Sequence, residues 1–356
     1  MGMLEISQLL ITKAFWGKLI DIFVKWVGNY GWAIILLTIA LKLVLTPLDV
    51  MQRNVNKKNA KMQAIMQPEL QKVQQQYPGD RNKLNQKQME LAKKYNFNMT
   101  GTCVTLLLSM VVTLVIFTSL FTGLNALSKK QENIAFNEIY QTYVTAEKYT
   151  VEHQDEFLNA DLTVNEDAVN KYISDQVNDK FDEQSHKYSF MWVKNVWKGD
   201  KTSESPVVKY SSFEKYALDN GIITNDEVGQ LGQDYNKIKD IIHARYSSNG
   251  YYILIVLAGV ITFLMQFLQT KLQEKKTGIK NPSTKIMLII MPIFMVIFAS
   301  TSSALFTLYI IANSVMSTII SIIIDSIQSR KKDDDNVVYK KGNTEVVEYS
   351  RNYNKG

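Results

Sequence analysis

The sequence is poor in the residues that most soluble enzyme chemistry needs. It has one cysteine and three histidines in 356 residues. A lone Cys103 excludes an intramolecular disulfide in any compartment, and it excludes a cysteine zinc cluster. His153, His186 and His243 are scattered through one polar segment without metal-ligand spacing. There is no glycine-rich phosphate loop, no HExxH and no nucleophile elbow. The expectation is therefore a non-enzyme with no cofactor and no metal. No signal peptide with a small-residue cleavage site is found near the start, and no cysteine there offers a site for a lipid.

Long apolar runs are present instead. Windowed hydropathy places five spans at about 30–48, 102–127, 250–270, 285–301 and 303–326. Each approaches the roughly 20 residues that a helix needs to cross a bilayer. The last two are joined by Ser300-Thr-Ser-Ser303, which reads as a tight turn between antiparallel helices. One long helix across both would be far too long for a single crossing. The expected fold class is an all-α polytopic membrane protein, with a five-transmembrane-helix core, a cytoplasmic helical hairpin and a polar outer segment.

Lys42 stands inside the first span. A charge at the centre of such a helix costs about 3 kcal/mol on insertion scales. The bland reading is that its ammonium snorkels to the nearer interface. The functional reading is a positive charge lining a wet cavity in the membrane.

Topology follows from the basic residues. Segment 49–101 carries Arg53, Lys57, Lys58, Lys61, Lys72, Arg81, Lys83, Lys87, Lys93 and Lys94 against few acids. The link 271–284 and the start of the tail at Arg330-Lys-Lys332 are also basic, whereas acids outnumber bases in 128–249. The positive-inside rule puts the basic segments in the cytoplasm and leaves the N-terminus and 128–249 outside. Five spans alternate consistently with that.

Residues 1–29 read as an amphipathic interfacial segment. Phe15, Leu19, Phe23 and Val27 form its stripe, and Trp16 and Trp26 its interfacial anchors. Residues 51–95 read as a helical hairpin turning at Tyr77-Pro-Gly-Asp80, with Met62, Ile65, Met66, Leu70 and Val73 on one thin stripe and Leu84, Met89 and Leu91 beginning another. So thin a stripe suggests weak packing and mobility. The outer segment 128–249 reads as polar, mostly helical, and a spacer or docking surface. Its Met191-Trp-Val-Lys-Asn-Val-Trp197 stretch is expected near the outer bilayer surface. The tail 327–356 reads as disordered. Its basic character allows contact with ribosomal RNA or anionic lipid, which Asp333-Asp-Asp335 weakens.

Several of these motifs together resemble one family. Asn29-Tyr-Gly-Trp-Ala-Ile-Ile-Leu-Leu-Thr38, then Lys42 and Thr46-Pro-Leu48, is similar to the first core helix of YidC-type (Oxa/Alb) membrane protein insertases. Gln67-Pro-Glu-Leu-Gln-Lys72 with Tyr77, Asp80 and Met89 resembles that family's cytoplasmic hairpin. Phe190-Met-Trp-Val-Lys-Asn-Val-Trp197 resembles the segment before the third core span. Lys285-Ile-Met-Leu-Ile-Ile-Met-Pro292 and Leu308-Tyr309 with Asn313 resemble the last two helices.

The resemblance implies a hydrophilic groove, open to the cytoplasm and lipid and closed to the outside. It implies substrate contact by Lys42, Thr38, Ser109, Thr113, Tyr309 and Asn313. Lys42 takes the place of the groove arginine, and Thr105, Ser109 and Val111 stand where Pro, Gln and Pro are expected. For Thr38, Tyr309 and Asn313 the bland alternative is helix–helix glue. The implied activity is ATP-independent insertion and chaperoning of membrane proteins in a bacterial cell membrane. Nascent membrane proteins and lipids are the partners, with the ribosome and the Sec translocon as further candidates and no DNA. The rival class is an ion channel or secondary transporter with Lys42 as its ion site, although no internal repeat supports it. The stretch at about 129–186 lies outside the family pattern, so removing 131–185 is expected to leave much of the insertion activity.

Overall fold

The protein is described from a computed structural model. It covers the backbone of residues 13–94, 99–277, 282–330, 336–341 and 344–349. Ten α-helices run in order among the described residues. They are α1 Lys13–Val27, α2 Tyr30–Gln76, α3 Arg81–Lys94, α4 Met99–Glu152, α5 Glu166–Tyr188, α6 Tyr210–Asp219, α7 Val228–Arg245, α8 Ile253–Thr277, α9 Pro282–Thr301 and α10 Ala304–Arg330. Two strands follow, β1 Asn336–Lys341 and β2 Thr344–Tyr349. The chain forms two compact units. One takes Met1–Ala40, Thr118–Phe263 and Ile290–Ser314, and the other takes Leu41–Phe117, Leu264–Ile289 and Val315–Gly356.

Among the described residues, four helices are long and apolar enough to cross a membrane, at Tyr30–Val55, Val111–Glu152, Ile253–Leu272 and Ala304–Ile327. The fifth expected span appears as a shorter apolar helix, Ile286–Thr301. The first span does not stop at residue 48. α2 continues for 47 residues through Pro47 and Pro68 into the first arm of the hairpin. Next to Pro47, the Thr46 hydroxyl donates to the Lys42 carbonyl at 2.8 Å. Likewise α4 runs unbroken for 54 residues, from the second span into the outer segment.

In the first unit, α1 ends on Gly28 at φ +70, a left-handed turn that glycine adopts without a Cβ penalty. Asn29 then caps α2, its side-chain oxygen accepting from the Gly31 amide at 2.8 Å. The buried face of α1 is Trp16, Ile20 and Val24, not the expected stripe of Phe15, Leu19, Phe23 and Val27. Apolar residues flank both faces of this helix, so spacing alone does not choose between them. The choice comes from Gly123, where a Cβ would run into the Trp16 ring. Trp16 is thus a core residue, and its indole N–H donates to Ser119 Oγ at 2.9 Å. Trp26 stays largely exposed, as an interfacial anchor would.

Segment 128–249 packs as a folded domain, not a spacer. Phe136, Ile139, Tyr143 and Ala146 on α4 pack with Ile173, Val177 and Phe181 on α5, Phe213 and Ala217 on α6, and Leu231, Tyr235, Ile238 and Ile242 on α7. Each set repeats at three or four residues, which gives every helix one apolar face in a polar sequence. Asn165 caps α5 by accepting from the Ala168 amide at 3.0 Å. Residues 131–185 therefore supply two of the four packed walls, and the idea of a dispensable insertion needs correction. Removal of 131–185 would expose Phe213, Leu231, Ile238 and Ile242. The expected outcome is a protein of low abundance that is rapidly degraded, checked by pulse-chase and immunoblotting; an abundant, protease-resistant deletant would contradict it.

In the second unit, the hairpin turns where expected. α2 ends at Gln76, Gly79 takes φ +98, and Asp80 accepts from the Lys83 amide at 3.1 Å. Lys94 on α3 bonds Glu69 on α2 at 2.9 Å. Leu91 and Ala92 are buried, whereas Met89 is exposed; the Met62, Ile65 and Met66 side chains lie outside the described residues. The tail corrects another expectation. Past α10 it forms an antiparallel hairpin, with Asn336 opposite Tyr349 and Lys341 opposite Thr344. Val and Tyr residues on both sides of Gly342-Asn343 are a hairpin pattern, which a reading by charge alone overlooks.

Candidate functional site

The polar residues expected in the spans have distinct environments. Thr38 is buried, and its hydroxyl donates to the Ile34 carbonyl of its own helix at 2.7 Å. Lys42 lies one turn further along α2 and is partly exposed. Among the described residues its ammonium makes no ion pair. Tyr309 is buried, with its ring 5.6 Å from that of Phe306. Asn313, one turn on, is partly exposed, and Thr113 on α4 is exposed. The Ser109 side chain lies outside the described residues.

Other polar groups of the spans went unread in the sequence. In the first unit, Thr262 and Ser314 hydroxyls lie 3.4 Å apart between α8 and α10. In the second, the Gln269 amide donates to Thr318 Oγ1 at 2.8 Å, and Gln266 Oε1 is buried with no hydrogen-bond partner. Arg53 faces Asp325 at 3.6 Å, joining the extension of α2 beyond its span to the end of α10. Ser314, Thr318, Ser321 and Asp325 recur at three or four residues along α10. That polar stripe on an apolar helix was a signal available in the sequence.

The first unit also contains a clasp, residues 186–200, that joins the starts of α2, α8 and α10. At the start of α2, the Asn29 amide donates to the carbonyls of His186 at 3.0 Å and Ser189 at 2.7 Å. Tyr30 stacks on Tyr188, with 5.6 Å between ring centroids, and meets Trp197 edge-on at 4.7 Å. Gly31 lets the Phe190 ring lie against the backbone, since any Cβ there would collide with it. At the start of α10, the amides of Ala304 and Leu305 donate to the carbonyls of Lys198 at 2.6 Å and Val196 at 2.8 Å. These are helix N-terminal donors that have no partner within the helix.

At the start of α8 the acceptor is Asp200, a buried carboxylate. It accepts from the amides of Tyr251 at 2.7 Å and Leu254 at 2.6 Å and from the Trp192 indole at 3.2 Å. Its negative charge sits at the positive end of the helix dipole. A Cβ on Gly250 would collide with this carboxylate, so the sequence Asn-Gly at 249–250 is part of the same fit. Lys198 is buried beside Glu132 at 3.5 Å, and Ser128 donates to the Trp197 carbonyl, which attaches the clasp to α4 as well.

The histidines serve structure here. His243 Nε2 lies 2.7 Å from Ser205 Oγ, which also accepts the Val207 amide. Burial, with the Lys239 charge adding to it, lowers the His243 pKa. A neutral ring can accept the Ser205 proton, so the contact secures a turn. Among the described residues, no group of three His, Cys, Asp or Glu is placed to hold a metal ion.

Similarity to known proteins bears on this arrangement. The chain is 35% identical over 114 residues to the membrane protein insertase YidC of Fusobacterium nucleatum, covering 32% of this chain and 54% of that protein. It is 42% identical over 106 residues to the protein of that name from Nitratidesulfovibrio vulgaris strain DP4, covering 30% of this chain and 18% of the relative. For the Polynucleobacter necessarius protein the figures are 40% over 113 residues, 32% and 18%. The chain thus spans about half, or less than a fifth, of the relatives' lengths. The family described as the 60Kd inner membrane protein matches residues 22–332, from within α1 to just past α10. Helix order, clasp and polar spans all lie inside that match, and the chain belongs to this family of bacterial membrane proteins.

Proposed function

We propose that the protein inserts and chaperones nascent membrane proteins, using a hydrophilic groove lined by Lys42, Thr38, Ser109, Thr113, Tyr309 and Asn313. The observation that carries this reading is Lys42, a charge inside a span with no ion-pair partner among the described residues, in a chain whose family match extends over 22–332. A cation in that position needs water or a substrate acid to compensate it. A wet groove shortens the hydrocarbon path that a polar outer tail must cross. Lys42 attracts acidic residues of that tail for a short time. Release of the substrate helix into lipid then drives the step, at roughly 25 cal/mol per Å² of apolar area. No bond is made or broken, and no nucleotide is needed. The comparisons lend no support to the channel or transporter reading.

The orientation proposed has the N-terminus and the 128–249 domain outside and the hairpin, the 271–284 link and the tail in the cytoplasm. The basic segments support it. In a Cys103-free background, cysteines at Lys83 and Lys276 are expected to be shielded from an impermeant thiol reagent in intact cells, while cysteines at Asp167 and Glu227 react. Labelling of residue 83 from outside would reverse the topology. The function is tested by depletion in the native cell: small membrane proteins with short outer tails are expected to accumulate uninserted. Normal insertion after full depletion would remove the proposal. The ribosome and the Sec translocon are proposed as partners at the cytoplasmic face and within the membrane, and co-purification after cross-linking tests each.

A further inference from the structure

Residues 190–193 form a tight turn, closed by two backbone bonds. Phe190 donates to the Val193 carbonyl at 2.9 Å, and Val193 donates back at 3.0 Å. Met191, at its tip, is 70% exposed and takes φ +54, in the left-handed region that L side chains rarely adopt. A strained residue persists only where its surroundings hold it there. Here the flanks are fixed. Phe190 is buried against Gly31 and lies edge-on to Trp32, with ring centroids 5.3 Å apart. Trp192 donates its indole N–H to Asp200, which caps α8.

These contacts set the depth of the turn. Gly31 and Trp32 are in the first turn of a span, and Trp32 is 53% exposed on its side. Tyr251, Tyr252 and Ile253, at the outer end of another span, are also exposed. Aromatic residues gather at the level of the lipid headgroups, where an apolar ring and a polar edge are both accommodated. Lys187 lies 5.6 Å from the Tyr30 ring centroid, at the same end of the span. A lysine there suits lipid phosphate. Met191 adjoins Phe190 and carries the exposed apolar side chain of the turn.

We infer that the Met191 turn is a lipid anchor: its tip sits in the outer leaflet, among the upper acyl chains, and pins the clasp to the bilayer. The occupant of this surface is lipid, and the inference depends on the spans and not on insertase activity.

The test uses the full chain in vesicles of phosphatidylcholine with a minor share of phosphatidylglycerol. A fluorophore is attached at Met191→Cys in a Cys103→Ser background, and quenching is measured with lipids that carry a nitroxide high in the acyl chain. Leu162→Cys, exposed in the outer domain, and Trp32→Cys are the references. Quenching at 191 is expected to equal that at 32 and to exceed that at 162 severalfold. Quenching at 191 no greater than at 162 would overturn the inference. A photoactivatable lipid applied to the unaltered chain gives a second reading that no cysteine can perturb. Adducts are expected on the peptide containing Met191, and adducts found on span peptides alone would also overturn it.

Discussion

Lys42→Glu is expected to stop insertion of substrates with acidic outer tails, at unchanged expression of the protein. The reason is the sign of one charge. Two unit charges 4 Å apart attract by about 4 kcal/mol at an effective dielectric near 20, and hydration screens part of that. Lys42→Ala removes the attraction; a loss of about 1.4 kcal/mol slows the step roughly tenfold. Lys42→Glu replaces attraction by repulsion and is the worse variant. Lys42→Arg keeps the charge and is expected to retain activity, although its planar head is hydrated differently. Neutral-tailed substrates are expected to respond less in every case. Snorkelling without function predicts another pattern, in which Lys42→Ala is tolerated because a charge costing about 3 kcal/mol leaves the membrane. Insertion rates for one substrate with acidic and with neutral tails separate the two. Equal, near-normal rates for the Ala and Glu variants would sink the groove.

Asp200→Ala is expected to give the largest loss of stability of any single change in the clasp. The substitution leaves the buried amide of Leu254, the half-buried amide of Tyr251 and the Trp192 indole without their acceptor. Each orphaned donor costs about 1–3 kcal/mol, so the sum is roughly 2–6 kcal/mol if one of the three finds water. Asp200→Asn keeps one oxygen and is expected to fall between. Thermal unfolding in detergent gives the size of the loss, and amide exchange at residues 251 and 254 shows where it occurs. An Asp200→Ala protein that melts with the unaltered chain would mean that water replaces the carboxylate and that the clasp has other supports. The same variant is expected to loosen the ends of the spans that the clasp joins, seen as faster protease cleavage near residues 186–205 of the detergent-purified protein.

Some of this was legible in the residues themselves. A run such as 30–48 has few ways to satisfy its backbone in lipid other than a helix, so the spans follow from composition and length. Tyr77-Pro-Gly-Asp80 acts through its own backbone chemistry, and it turned the chain where the sequence indicated. The basic segments carry the proposed orientation in the same way, because the rule that reads them counts charges in short loops. Lys42 was conspicuous because a charge in an apolar run is costly wherever its neighbours lie.

The rest depended on contacts between residues far apart in the chain. Nothing local says which face of α1 is buried; Gly123, more than a hundred residues away, selects Trp16. The outer segment looked like a spacer because its polar majority diluted four apolar stripes, and those stripes have meaning only when α4, α5, α6 and α7 pack together. Asp200 is one acid among many in the sequence, and it becomes the cap of α8 only when residues 200 and 251–254 meet. Sequence by itself determined the elements whose energetics are local: spans, the hairpin turn and the cost of one charge in an apolar run. Tertiary structure alone decided which of several equivalent faces is buried and which carboxylate finds a helix end, since those choices rest on distances between segments that no local pattern encodes.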